Sequence, residues 1–169
     1  VPVQRHLATV FLALAKHREA LALLKGLAAS HPDDQQVLLN LSTALFKLDN
    51  LYESHMALES LVRRFPANTQ ARVNLASIHL NNLKNPEKAL EVLLPAAEEP
   101  HAGLQFALGC VYGKLGDHLP SLNHYARGLE IDPSHGETLS NYLFSLHYGP
   151  SVDLERVRSE SKDSPVYYV

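Results

Sequence analysis

The sequence predicts an all-α fold: a right-handed superhelical solenoid of antiparallel helix pairs, closed by a C-terminal capping helix. Three observations predict it. Leu and Ala supply most of a chain that is 46% hydrophobic and contains no Trp, which is a helix-forming composition. Prolines end helical patterns at a fixed interval: Pro32 and Pro66 stand 34 residues apart, and Pro133 follows after 67, close to two further intervals. Apolar residues recur at helical spacing, as at Ala20, Leu23, Leu24 and Leu27, and no strand-like alternation is present.

Setting each proline at place 32 of its unit gives the elements in order. The first unit, residues 1–34, puts Leu7, Ala8 and Phe11 on its first helix (A) and Ala20 and Leu24 on its second (B). The second, 35–68, puts Leu41, Ser42 and Leu45 on helix A, then Ser54 and Leu58 on helix B. The third, 69–101, keeps Ala76, but Ala89 arrives one residue late, which places an insertion in the turn N-L-K-N-P-E-K-A-L. There Asn85 is the expected N-cap, with Pro86 at the first helical position, and Pro100 cuts the second helix short. The fourth, 102–135, carries Leu108, Gly109 and Tyr112, a turn at Gly116-Asp117, then Ser121, Tyr125 and Gly128. Ala8, Ser42, Ala76 and Gly109 are the small residues expected where helices A and B approach most closely. Residues 136–148 read as one more A-type helix covering the last apolar face, stopped by Gly149-Pro150. Residues 149–169 read as a short amphipathic helix over 152–161 and a tail.

A 34-residue unit with these small and large apolar places and a proline near its end resembles the tetratricopeptide repeat. The resemblance spans residues 1–135 and is closest in the fourth unit. It implies a non-catalytic scaffold in which helix A of each unit lines a concave groove that binds an extended peptide or a partner protein. Carried onto this chain, the groove places hold Arg5 in unit one and Asn40, Thr43, Phe46 and Lys47 in unit two. They hold Asn74, Ser77 and Asn81 in unit three, Phe106 and Lys114 in unit four, and Asn141 and Phe144 on the capping helix. Asn40, Asn74 and Asn141 share one place, where an amide donates and accepts at once and suits a peptide backbone of any sequence. This ladder, interrupted by His6 and Ala107, is similar to that of O-GlcNAc transferases. The competing reading is that these amides bond only to neighbouring helices. A clamp for a C-terminal carboxylate, found in another branch of the family, is not matched: Arg5 and Asn40 fit it, whereas Thr9, Gln70 and Asn74 lack the required charge.

A second resemblance lies at the end of the array. The string T-L-S-N-Y-L-F-S-L-H-Y-G-P looks like the segment joining repeats to the catalytic region in bacterial proteins of the O-GlcNAc transferase and SPINDLY type. Ser140, Asn141, Leu143, Phe144, Leu146, Tyr148 and Pro150 carry the likeness. It implies an alternative role, the substrate-recognition arm of a larger glycosyltransferase whose catalytic domain is absent from this chain.

Composition narrows the other classes. Fifteen Lys and Arg against eighteen Asp and Glu give a net charge of −3, with no basic excess to attract nucleic acid. No apolar run reaches the roughly 18 residues that span a bilayer, so no membrane insertion is expected. Cys110 stands alone, which excludes an intramolecular disulfide and fits a reducing, cytoplasmic location. The chain starts at Val1 without a methionine, as an excised piece of a longer protein does, so missing targeting signals carry no weight. No phosphate loop, Cys-x-x-Cys pair or His-Glu-x-x-His helix is present, and no cofactor is expected. His118 and His124 fall on nearly opposite faces of one helix and cannot share a metal; Glu98-Glu99 reads as a solvated helix end. Self-association through end helices is the remaining partner class, since the array lacks a polar N-terminal cap.

Overall fold

A helix needs partners for its first N–H groups, and in this chain a polar side chain provides them at the start of several helices. The computed structural model describes residues 2–148, so the segment 152–161 and the tail lie outside the described residues. The chain divides into two compact units, Val1–Leu75 and Ala76–Val169. No strand occurs among the described residues.

The first unit contains α1 (Pro2–Ala13), α2 (His17–Ser30), α3 (Gln35–Lys47), α4 (Leu51–Arg64) and the start of α5 (Thr69–Ser77). Asp34 caps α3 by accepting from the Gln36 and Val37 N–H groups at 3.1 and 3.2 Å, and Asn68 caps α5 through Ala71 at 2.9 Å. Each such cap contributes about 1 kcal/mol. Neighbouring helices pack in sequence order, α1 on α2, α2 on α3 and α3 on α4. Their core holds Ala8, Ala20, Leu24, Leu27, Val37 and Ala44, with Phe11, Leu21 and Leu41 packed around it. Each fully buried leucine contributes about 1.5–3 kcal/mol. Leu7 does not join this core. It is exposed together with Val3, Val10 and Leu14 on α1.

The second unit continues from the end of α5 through α6 (Pro86–Leu93), α7 (Ala102–Leu115), α8 (His118–Ile131) and α9 (Gly136–Tyr148). Asn85 caps α6 through the Lys88 N–H at 2.9 Å, with Pro86 at the helix start as expected. His101 and His135 cap α7 and α9, each accepting on Nδ1 from the backbone three residues on. Leu93, Leu104, Leu108, Val111 and Leu122 are buried among these helices.

The small residues lie where the pattern puts them. Ala8, Ser42 and Ala76 are buried, and a Cβ on Gly109 would meet the Tyr125 ring at 2.4 Å. A serine twelve places on ties helix B to that point in two repeats: Ser54 donates to the Ser42 carbonyl at 2.9 Å, and Ser121 to that of Gly109 at 2.8 Å. Repeats one and three carry the buried Ala20 and Ala89 instead.

The A-to-B turns locate the insertion of the third repeat. Each turn uses one left-handed residue: Ala15 (φ 56°), Asp49 (φ 64°), Lys84 (φ 53°) and Gly116 (φ 86°). The next N–H then bonds five residues back, Lys16 to Phe11, Asn50 to Leu45 and Asp117 to Tyr112, closing helix A. In repeat three the same bond runs from Asn85 to His79, six residues back. The extra residue therefore lies in helix A rather than in the turn. A π-helical stretch at Ile78–Asn82 absorbs it, with the Leu83 N–H bonded to the Ile78 carbonyl at 3.0 Å.

The shortened helix B of that repeat ends in a 3₁₀ turn, Leu94–Ala96. Its loose carbonyls are gathered by Gln105, which is 0% exposed and donates to Ala97 at 2.8 Å and to Glu99 at 3.4 Å. With its N–H groups committed, Gln105 presents Oε1 to His124 Nδ1 at 2.8 Å, so that nitrogen carries the proton. The His124 ring stacks on Tyr112 at 5.3 Å between centroids. Burial, with nearby Arg127 as a smaller cause, lowers its pKa from 6.5 to about 4 against the opposing pull of Glu98.

Candidate peptide-binding site

The groove residues expected from the sequence fall into different environments. In the first unit, Arg5 pairs with Asp34 at 3.0 Å, the carboxylate that also caps α3. Asn40 is buried and uses both ends of its amide: it donates to Thr9 Oγ1 at 3.2 Å and accepts from Gln36 Nε2 at 2.9 Å. The Thr9 hydroxyl in turn donates to the Arg5 carbonyl at 3.1 Å, so this amide braces α3 against α1. Thr43 gives its hydroxyl to the Leu39 carbonyl at 3.0 Å, within its own helix. Phe46 and Lys47 are exposed at the end of α3. Asn74 is half-buried and accepts from Gln70 at 2.9 Å; its amide N–H groups have no hydrogen-bond partner among the described residues.

In the second unit, Ser77 accepts from Asn81 at 3.1 Å on the exposed side of the π-helical stretch. The extra residue there shifts the register. Counted back from the left-handed turn residue, Asn82 rather than Asn81 stands where Lys47 and Lys114 stand. The Phe106 ring lies 5.3 Å from that of His135 and 6.2 Å from that of Tyr125, which makes it partly a packing residue.

The three remaining residues, Lys114, Asn141 and Phe144, converge. They line a cleft of about 320 Å³ among α7, the start of α8 and α9. Cys110, Gly113 and Lys114 line it from α7, His118 and Tyr125 from α8, and Asn141, Phe144 and Ser145 from α9. Small residues open it: Gly113 leaves room beside α8, and Gly109 lets the Tyr125 ring lie flat on α7. Tyr125 donates to Cys110 Sγ at 3.5 Å, and Asn141 Nδ2 reaches the same sulfur at 3.7 Å. Burial pushes the Cys110 thiol up, so it stays protonated and unreactive near neutral pH. Burial likewise raises the Tyr125 phenol, with the Cys110 contact adding to the effect. The Asn141–Cys110 interval matches that of Asn40–Thr9, 31 residues in each case. Yet the sulfur is a weak acceptor at long range, and although the Asn141 amide also acts on the Tyr125 hydroxyl, its Oδ1 carries no bond among the described residues, unlike that of Asn40.

Sequence reasoning missed Tyr125, His118 and Ser145 as parts of this cleft. Tyr125 belongs to a packing place of helix B, and only its pairing with Gly109 signals that the ring lies close against α7, where it also lines the cleft. Among the described residues, no group of three His, Cys, Asp or Glu side chains is arranged to hold a metal, and no helix is long and apolar enough to cross a membrane.

Profiles described as tetratricopeptide repeat match residues 6–54, 53–102 and 102–135. This chain belongs to the tetratricopeptide-repeat family. Solved structures show the same all-α tetratricopeptide-repeat solenoid fold. TTC0263, a thermophilic tetratricopeptide-repeat protein of Thermus thermophilus, is 23% identical, with 95% of this chain and 97% of that one covered and a TM-score of 0.70. MamA 41-end from Desulfovibrio magneticus RS-1 is 17% identical, covering 97% and 96%, with a TM-score of 0.65. A MamA RS-1 double mutant is 19% identical, covering 94% and 88%, with a TM-score of 0.69. At these identities the likeness concerns the fold alone. Comparison with curated proteins gives no match. The transferase-like string forms α9 as far as Tyr148, with Gly149 and Pro150 outside the described residues, and the comparisons add nothing to that resemblance.

Proposed function

We propose that this tetratricopeptide-repeat chain is a non-catalytic interaction scaffold that binds a peptide segment of a partner protein, with the α7–α9 cleft as a principal contact. The observation that carries this reading is the convergence of Lys114, Asn141 and Phe144. A flexible cation, an amide and an aromatic ring 63% exposed meet in one cleft. Such a mixture suits a peptide, which offers backbone groups to the amide and an apolar side chain to the ring. The asparagine ladder takes a smaller part: Asn40 is spent on Thr9 and Gln36, while Asn74 and Asn141 keep bonding capacity.

Affinity capture tests this with three baits: the wild-type chain, an Asn141→Ala/Phe144→Ala variant, and Tyr52→Ala as a control on the exposed face of α4. Partners held by the wild type and the control but lost by the cleft variant are the expected result. A partner set unchanged by the cleft variant would remove the cleft from the binding surface.

A further inference from the structure

Resting on that reading, we infer that the α7–α9 cleft selects acidic peptides: segments in which an Asp or Glu side chain meets Lys114 while an adjacent apolar side chain packs on Phe144. The charges of the lining point this way. Lys114 is cationic, and no carboxylate lines the cleft among the described residues. No ion pair joins Lys114 to a carboxylate among the described residues, in contrast to Lys88 or Arg127, although several other surface cations share that state. Two carboxylates belong to the adjoining segments: Glu137, which acts on Cys110 from the first turn of α9, and Asp117, which precedes His118 in the chain. Neither is a lining residue, so the Lys114 ammonium is left to pair with an incoming anion.

The remaining groups set how the peptide lies. Asn141 turns its Nδ2 towards Cys110, which leaves Oδ1 to accept from a peptide N–H. The Ser145 hydroxyl, one helical turn along α9, adds a donor on the same wall. Phe144 lies between these two positions in the chain and supplies the apolar face. Lys114 comes from α7 and Phe144 from α9, so one peptide lying in the cleft can meet both, an acidic side chain on the first and its apolar neighbour on the second. A purely apolar peptide would leave the ammonium unpaired, and a basic one would be repelled by it.

Selection from a random linear peptide library tests the inference on the full chain, with Lys114→Met and Lys114→Glu in parallel. Lys114 is exposed near a helix end, so both substitutions leave the fold intact, which circular dichroism verifies. The wild type is expected to enrich peptides pairing Asp or Glu with an aromatic or aliphatic residue. Lys114→Met is expected to lose the acidic preference and bind the wild-type peptides about fivefold more weakly, the effect of one partly exposed ion pair. Lys114→Glu is expected to turn the preference towards Lys and Arg. High salt is expected to shrink the gap between wild type and Lys114→Met. Enrichment of peptides without an acidic preference, or a preference unchanged by both substitutions, would overturn this inference and leave the scaffold reading standing. Failure of the wild type to enrich any peptide would overturn both.

Discussion

Acid should weaken the second unit through one side chain, His124. In the folded chain its ring lies under Tyr112 with Nδ1–H committed to Gln105 Oε1, and its pKa is about 4 against an ordinary 6.5. The sign follows from which state takes up the proton. Above pH 6.5 the imidazole is neutral in both states, and this residue gives stability no pH dependence. As pH falls below 6.5 the unfolded chain binds a proton that the folded chain refuses until about pH 4. Stability is therefore lost across that window and levels off beneath it. At about 1.4 kcal/mol per tenfold, the gap amounts to about 3 kcal/mol, a large share of the 5–15 kcal/mol typical of a domain. Urea unfolding followed by circular dichroism at several pH values, for the wild type and His124→Gln, measures it. Glutamine keeps a donor for Gln105 but does not titrate, so the difference between the two chains isolates His124 from the other histidines and the carboxylates. The wild type should lose about 3 kcal/mol relative to the variant between pH 7 and pH 4, and the His124 ring resonance should titrate near 4. A wild-type-to-variant difference that is constant with pH, or a ring titrating near 6.5, would refute the reasoning.

Further substitutions test the packing and the turns, each read by chemical or thermal unfolding. Gly109→Ala drives a methyl group into the Tyr125 ring and should cost about 1–2 kcal/mol net of the helix propensity it gains. Gly26→Ala, with open space at its Cβ, should instead stabilise by about 0.5–1 kcal/mol; equal effects at the two sites would contradict the close approach. Ala15→Gly relieves a left-handed alanine and should gain about 0.5–1 kcal/mol, while Gly116→Ala should lose about 1 kcal/mol. Asn40→Ala removes the brace to Thr9 and should cost about 1–2 kcal/mol, more than Asn74→Ala; matching losses would place the two amides in equivalent roles.

The fold was legible because its constraints are periodic. Prolines recurring at about 34 residues, a small residue at each A–B crossing and a capping side chain soon after Pro32, Pro66, Pro100 and Pro133 leave repeated marks in the sequence. The location of the insertion left no such mark. An extra residue anywhere between Ser77 and Ala89 gives the same spacing, and only the backbone bond from Asn85 to His79 places it inside helix A. The turns at Ala15 and Lys84 were equally silent, because no glycine announces their left-handed backbone. Of the candidate site, Lys114, Asn141 and Phe144 were readable from their places on A helices. The difference between Asn40 and Asn141 was not. Both stand at the same place, and what separates them is the atom 31 residues earlier, a hydroxyl oxygen in one case and a sulfur in the other.

The π-helical stretch at Ile78–Asn82 bears on whether the repeats are interchangeable parts. An added residue in an ordinary α-helix would rotate everything after it by about 100°. Here the wider winding returns the chain to its turn at Lys84 and its cap at Asn85 in the same order as in the other repeats. The third repeat is thus one residue out of step internally but joins its neighbours through standard ends. Excising a single residue from the stretch should restore plain α-helical winding and bring the repeat into the common frame. Modules exchanged at the Asp34, Asn68, His101 and His135 caps then need no adjustment of their seams.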